Sequence, residues 1–278
     1  MNAPTADPVL ADVALRIRRH VVDACAGPEG GHLGGSLSCT DLLVALYFRV
    51  LRVDPADPDH PDRDVFLLSK GHAAIALYAT LAERGFFDPA ELAGYGRPGS
   101  RLMAHPVRTV PGVELPTGSL GHGLALGLGF ALAGRLSGVD RRTFVLLGDG
   151  ELQEGSVWEA ALVAAAQRAD RLVAIVDANG LQLTGAVEDI GGPQPIGERW
   201  AGFGWAVRYV DGHDTDAVAA ALDTAPWTPG RPSVLVARTV KGQGVPMVAG
   251  KVAGHYATLS PPLHARAVRG LRGAGERP

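Results

Sequence analysis

Two hydrophobic rhythms share this chain. Unbroken apolar runs at Val65–Leu68, Phe144–Leu147 and Leu172–Val176 have the length and continuity of strands buried on both faces, and Trp205–Val210 and Ser233–Ala237 read as two more strands. Between them the apolar spacing lengthens to that of a helix, as at Leu10, Val13, Ile17, Val21 and Ala24, at Val157, Trp158, Ala161, Leu162 and Ala165, and from about Asp214 to Asp223. Ser38-x-x-Asp41 reads as a capping box for a helix through about Val50. A glycine-spotted helix is expected from Gly118 to about Leu136. Strands alternating with helices predict an α/β fold, a mostly parallel sheet with helices on both faces. One domain is expected over residues 1–262, with a mobile, arginine-rich tail at 263–278 after the Pro261-Pro262 break.

The apolar run at Phe144–Leu147 ends in Gly148-Asp149-Gly150, and the run at Leu172–Val176 ends in Asp177-Ala178-Asn179-Gly180. A helix between two such runs makes a βαβ unit. It sets Asp149 and Asn179 side by side beyond the carboxyl ends of neighbouring strands, where open α/β sheets bind ligands. A carboxylate, an amide oxygen and a backbone carbonyl, for which Leu181 is the candidate, form an oxygen-only donor set. Such a set suits Mg²⁺, or Ca²⁺, rather than zinc. Gly150 leaves its amide open to a diphosphate oxygen, at a helix start that favours anions. The competing reading of Gly-Asp-Gly is an ordinary turn with a solvated Asp; Asn-Gly at the next strand end weighs against it.

Composition narrows the field modestly. A net charge of −3 gives no electrostatic case for nucleic acid or an anionic membrane. Cys25 and Cys39, the two cysteines, are too few for a disulfide framework. With no signal-peptide pattern and no membrane-length apolar run, a cytoplasmic, soluble protein is expected. Four of the nine histidines, His32, His72, His105 and His122, sit beside glycine or proline in predicted loops or helix starts. Singly each reads as structural. Together at one sheet edge they are placed to move protons near neutral pH.

Gly148-Asp149-Gly150 with Asn179 resembles the thiamine-diphosphate motif. The surrounding words, Gly31-His32-Leu33-Gly34-Gly35-Ser36, Ser69-Lys70-Gly71-His72-Ala73, Ala104-His105-Pro106 and Thr117-Gly118-Ser119-Leu120-Gly121, resemble transketolase in the family's order. The resemblance implies the thiamine-diphosphate-binding fold and the amino-terminal subunit of a split transketolase. It implies that Asp149, Asn179 and the Leu181 carbonyl hold Mg²⁺, and that His72, Gly148, Gly150 and Glu151 belong to the diphosphate site. Gly118 and Leu120 would meet the aminopyrimidine, while His32, His105 and His255 would face the substrate. Glu154 would join a carboxylate network crossing to a partner; a helix-start Glu favoured by the dipole is the structural alternative.

Three positions depart from the family: His122 stands where it usually has Gln, Leu33 where it has Pro, and His255-Tyr256 where it has His-Gly. The implied partner is a carboxyl-terminal transketolase subunit supplying the pyrimidine-binding domain, in an α₂β₂ assembly acting on a sugar phosphate. Alternatives are two-carbon transfer to an unusual acceptor such as a carrier-protein thiol, a non-catalytic scaffold, and a nucleotide-binding oxidoreductase. The last ranks lowest because no Gly-x-Gly-x-x-Gly turn follows the first strand.

Overall fold

The computed structural model describes residues 9–191 and 195–275. Five parallel strands, β1 (Val65–Leu68), β2 (Thr143–Gly148), β3 (Leu172–Ala178), β4 (Ala206–Asp211) and β5 (Ser233–Arg238), form one sheet in the order β1-β2-β3-β5-β4. The helices are α1 (Leu10–Ala24), α2 (Leu33–Ser38), α3 (Thr40–Ala45), α4 (Ala74–Arg84), α5 (Gly123–Leu136), α6 (Gly155–Ala166), α7 (Val187–Gly191), α8 (Ile196–Gly202), α9 (Thr215–Asp223) and α10 (Pro261–Gly275). The expected α/β architecture is the observed one. No helix among the described residues is long and apolar enough to cross a membrane.

Strand side chains point alternately to the two faces, and the core divides accordingly. Phe66, Leu68, Phe144, Leu146, Val173 and Ile175 pack with α1, α3 and α4 in one layer. Val65, Leu67, Val145, Leu147, Ala174 and Val176 pack with α5 and α6 in the other. Fully burying one such Leu or Ile contributes about 1.5–3 kcal/mol, so the central strands cannot slip in register without exposing a whole row. That register pairs Leu146 with Ile175 and Gly148 with Asp177. The tips of β2 and β3 therefore end level.

Several local expectations give way to tertiary demands. Ser38 caps nothing. It ends α2, and its hydroxyl donates to Asp177 at 2.6 Å, across 139 residues. Asp41 likewise faces inward, accepting from the Arg18 guanidinium and, at 2.7 Å, pairing with His213 Nδ1. The segment read as one helix after Ser38 is α3 followed by a π-helical turn over Leu46–Val50, and α2 lies before it. Gly118–His122 is a turn rather than a first helical turn, with Gly118 at φ 139° and Gly121 at φ 84°. On α6 the buried side is Val157, Ala160, Ala161 and Ala164, and Leu162 is exposed.

The tail needs the largest correction. Residues expected to be mobile from 263 onward form α10, whose Ala267 and Leu271 are buried in the core that also holds α1. Few apolar residues suffice because they fall four apart, on one helical face. The last three residues of that tail, and the first eight of the chain, lie outside the described residues.

Candidate active site

One cavity of about 450 Å³ opens at the carboxyl ends of the strands. It is lined by every site residue expected from sequence except His105 and His122. His105 lies just behind, with its ring 6.1 Å from that of His32. The turn after β2 supplies Asp149, whose carboxylate accepts from the Gly180 amide at 2.6 Å and the Gly150 amide at 2.9 Å. The turn after β3 supplies Asn179, whose Oδ1 accepts from the Leu181 amide at 3.1 Å. The level strand ends thus join Asp149 to the Asn179 turn through backbone.

Glu151 is turned inward. Its carboxylate accepts from Ser69 Oγ at 2.5 Å, the Gly121 amide at 2.9 Å and the Gly148 amide at 3.1 Å. It therefore braces the Gly118–Gly121 turn against β2. Burial pushes its acidity below that of an ordinary carboxyl despite these donors. Glu154, at the cavity rim, is exposed and makes no cap bond to α6. Gly118 lets the chain pass close to His105, since a β-carbon there would come within 2.7 Å of the ring.

Three histidines cluster in the cavity wall. The ring of His32 lies 5.4 Å from His72 and 5.5 Å from His255, and His72 stacks on His255 at 5.6 Å. His122 stands apart from them, with its Nδ1 3.1 Å from the Leu120 carbonyl in the turn before α5. Burial, then the positive charge around it, brings His32 down to about 4. His255 is brought to about 4 for the same reasons, and His72 lies well below the usual imidazole value. Burial and the surrounding cations thus favour the neutral form of all three rings. His32 Nδ1 is buried and has no partner within the protein.

Sequence reasoning missed two lysines and an aspartate. Lys70 Nζ pairs with the Asp177 carboxylate and donates to the Gly35 carbonyl at 2.9 Å. Ser38, Thr239 and, at 3.3 Å, the Asn179 amide also donate to Asp177. Burial alone would raise Asp177, but the Lys70 ammonium with the Ser38 and Thr239 hydroxyls outweighs it and holds the carboxyl below its usual range. Lys241 Nζ reaches the Leu181 carbonyl at 3.0 Å and His255 Nδ1 at 2.9 Å, and burial beside Lys70 lowers it to about 8. A lone Lys beside glycine gives no sequence signal. The apolar run entering Asp177 was the available hint, because a charge closing a buried strand requires a partner.

Burial and the nearby Asp177 raise Asp149 to about 6. Such a carboxylate is short of positive charge, and the Leu181 carbonyl already faces a cationic group in Lys241. Among the described residues no cluster of three or more His, Cys, Asp or Glu could hold a metal. A cation here would depend on mixed oxygens: the Asp149 carboxylate, the Asn179 amide oxygen and the Leu181 carbonyl. That donor chemistry fits a hard divalent ion.

Residues 10–273 match the family described as "Transketolase, thiamine diphosphate binding domain", and the chain belongs to the transketolase family. It is 40% identical over 246 residues to the 6-deoxy-6-sulfo-D-fructose transketolase subunit SqwG of Clostridium sp. (strain MSTE9), covering 88% of this chain and 90% of that one. It is 44% identical over 245 residues to an apulose-4-phosphate transketolase subunit from Actinobacillus succinogenes, covering 87% and 88%. In this family it is an amino-terminal subunit of the split kind, a transketolase-type transferase. The fold is close to that of a Pichia stipitis transketolase (R525L mutant), with TM-score 0.89, 31% identity and 96% of this chain covered. A transketolase from Leishmania mexicana gives TM-score 0.87 at the same identity and coverage. The chain spans about two fifths of the length of these solved transketolases, 41% in each case.

Proposed function

We propose that this chain holds the Mg²⁺-diphosphate end of thiamine diphosphate in a two-polypeptide transketolase that moves a two-carbon ketol unit from a ketose phosphate to an acceptor. The observation that carries the reading is the backbone-linked placement of Asp149 and Asn179 at level strand tips, facing the histidine-walled cavity. When bound, the cofactor supplies the carbanion stabilisation that carbon–carbon cleavage requires. Everything else falls to the chain's own groups. Asp149, Asn179 and the Leu181 carbonyl hold the divalent ion, and His72, Lys241 and the amide of Gly150 meet the diphosphate. His32, His105 and His255 face the sugar. As neutral imidazoles, His32 and His255 can take a hydroxyl proton, an effect typically worth about 10²–10⁴-fold.

The partner is a carboxyl-terminal subunit that brings the pyrimidine-binding domain. Its seat is the outer side of α5 and α6, where Leu126, Leu162 and Val163 are exposed and where Glu154 stands at the cavity rim. Patches of this kind mark association surfaces. The assembly is α₂β₂, and the chain alone binds Mg²⁺-diphosphate weakly without turnover. Co-purification with the product of the neighbouring reading frame, followed by an assay of ketol transfer, tests this. Transfer that requires both polypeptides and disappears with Asp149→Ala is expected; full transfer by the single chain would overturn it.

A further inference from the structure

Four rings lie around His32, those of His72, His105 and His255 and, outside the cavity lining, that of Tyr256. The ring of Tyr256 meets that of His32 edge-on, with centroids 4.9 Å apart and planes at 86°. The ring is held there rather than loose on the surface. Its hydroxyl donates to the Glu29 carbonyl at 2.5 Å. On either side of it, Gly31 and Ala257 exchange two amide–carbonyl bonds, each 2.9 Å. Gly30, at φ 63°, leaves the room: a β-carbon there would come within 2.4 Å of Thr258 Oγ1, 2.7 Å of the Ala257 carbonyl and 3.1 Å of the Tyr256 ring. A residue at this φ without a side chain is the cheap solution to such crowding. Tyr256 is nonetheless 47% exposed. One side of the ring therefore meets solvent while the other covers His32, whose Nδ1 has no partner within the protein.

We infer that Tyr256 is a specificity-determining residue: its ring roofs His32 on the solvent side and limits the size of the sugar that can bring a hydroxyl to that imidazole. This rests on the ketol-transfer reading for its consequence, but the roof itself is a property of the chain alone. A rigid aromatic wall discriminates by bulk. Removing it relaxes selection among substrates that differ in length, and leaves in place Asp149, Asn179 and the Gly150 amide, none of which Tyr256 is bonded to.

Two measurements test it on the full chain and on the complex. Diethyl pyrocarbonate attacks unprotonated imidazole, and its rate at each histidine can be read by peptide mass spectrometry, with exposed His60 as internal reference. Tyr256→Gly should speed modification of His32 by about tenfold and Tyr256→Phe should leave it within about threefold, with His60 unchanged in both. Tyr256→Ala serves as a second opening variant should glycine destabilise the loop. In the complex, with hydroxypyruvate as donor, the ratio of kcat/KM for D-ribose to that for D-glyceraldehyde should rise by about tenfold in the opened variants, in the range typical of hydrophobic-pocket discrimination. It should hold near wild type in Tyr256→Phe. An unchanged His32 rate on opening, or a loss of kcat/KM that is uniform across acceptors, would overturn the inference. A wild-type complex without ketol transfer would instead overturn the proposed function, and the modification rates would still decide the roof.

Discussion

Lys70 and Asp177 form an ion pair closed to solvent, with side-chain exposures of 1% and 0%, two residues before Asn179. The same carboxylate accepts from the Asn179 amide nitrogen, which leaves the amide oxygen turned the other way, toward the Leu181 amide. The pair thus orients from behind the amide oxygen proposed to hold the metal, as outer partners of metal ligands commonly do.

Removing one member of such a pair strands the other. Lys70→Met should cost about 3–5 kcal/mol of folding stability, read from urea denaturation. A tenfold or larger loss in Mg²⁺-diphosphate affinity of whatever remains folded should accompany it. Wild-type stability in this variant would show that the pair contributes little.

Glu151→Ala should behave differently from Asp149→Ala. Without the Glu151 carboxylate the buried amides of Gly121 and Gly148 lose their acceptor, a cost of about 1–3 kcal/mol each. Stability should fall along with cofactor affinity. Asp149→Ala should remove affinity with a smaller loss of stability, because the amides that its carboxylate accepts from, those of Gly150 and Gly180, are only partly buried and can turn to water. Paired calorimetric melts and titrations separate the two.

The half-buried histidines set a pH dependence of defined sign. His32 sits near 4 in the folded chain and about 6.5 unfolded, so the unfolded state binds more protons between those values. Stability from this group is full above pH 6.5 and is lost as pH falls toward 4. His32→Gln should flatten the urea-midpoint profile over that window by roughly 1–2 kcal/mol, allowing for its partial contact with solvent. Asp149, raised to about 6, acts in the opposite sense between about 4 and 6, so Asp149→Asn should steepen the acid limb.

Gly118→Ala should injure catalysis more than folding. A β-carbon at φ 139° would also press on the His105 ring, and small misplacements of reacting groups carry large rate costs. Ketol transfer by the complex should fall by at least about tenfold while the melting temperature moves by only a few degrees. A variant with wild-type rates would remove His105 from the substrate's path.

Leu162→Asp places a charge on the exposed side of α6. The chain should fold normally and lose co-purification with its partner. Retained complex would move the interface elsewhere.

Much of this architecture was readable because strands buried on both faces announce themselves as unbroken apolar runs, and because glycine marks the turns where their ends meet a ligand. The Gly148–Gly150 and Asn179–Gly180 turns fall in that class. Ser38 and Asp41 do not. Their spacing imitates a helix cap, yet their partners are Asp177 and His213, and no local pattern reveals a bond across 139 residues. Lys70 and Lys241 escaped notice because a cation is invisible as a site residue until folding shows what it faces. α10 escaped for the opposite reason: averaged along the sequence it is polar, and only its winding gathers Ala267 and Leu271 into the core.

The pairing of Gly148 with Asp177 makes the spacing of Asp149 and Asn179, the proposed cofactor anchors, a property of the sheet interior, not of the segments proposed to frame the sugar. Those outer segments, including the Tyr256 loop, are free to be rewritten in length and chemistry while the anchor stays put. Relatives of one lineage can in this way adopt new carbohydrates without reinventing their grip on a shared reagent.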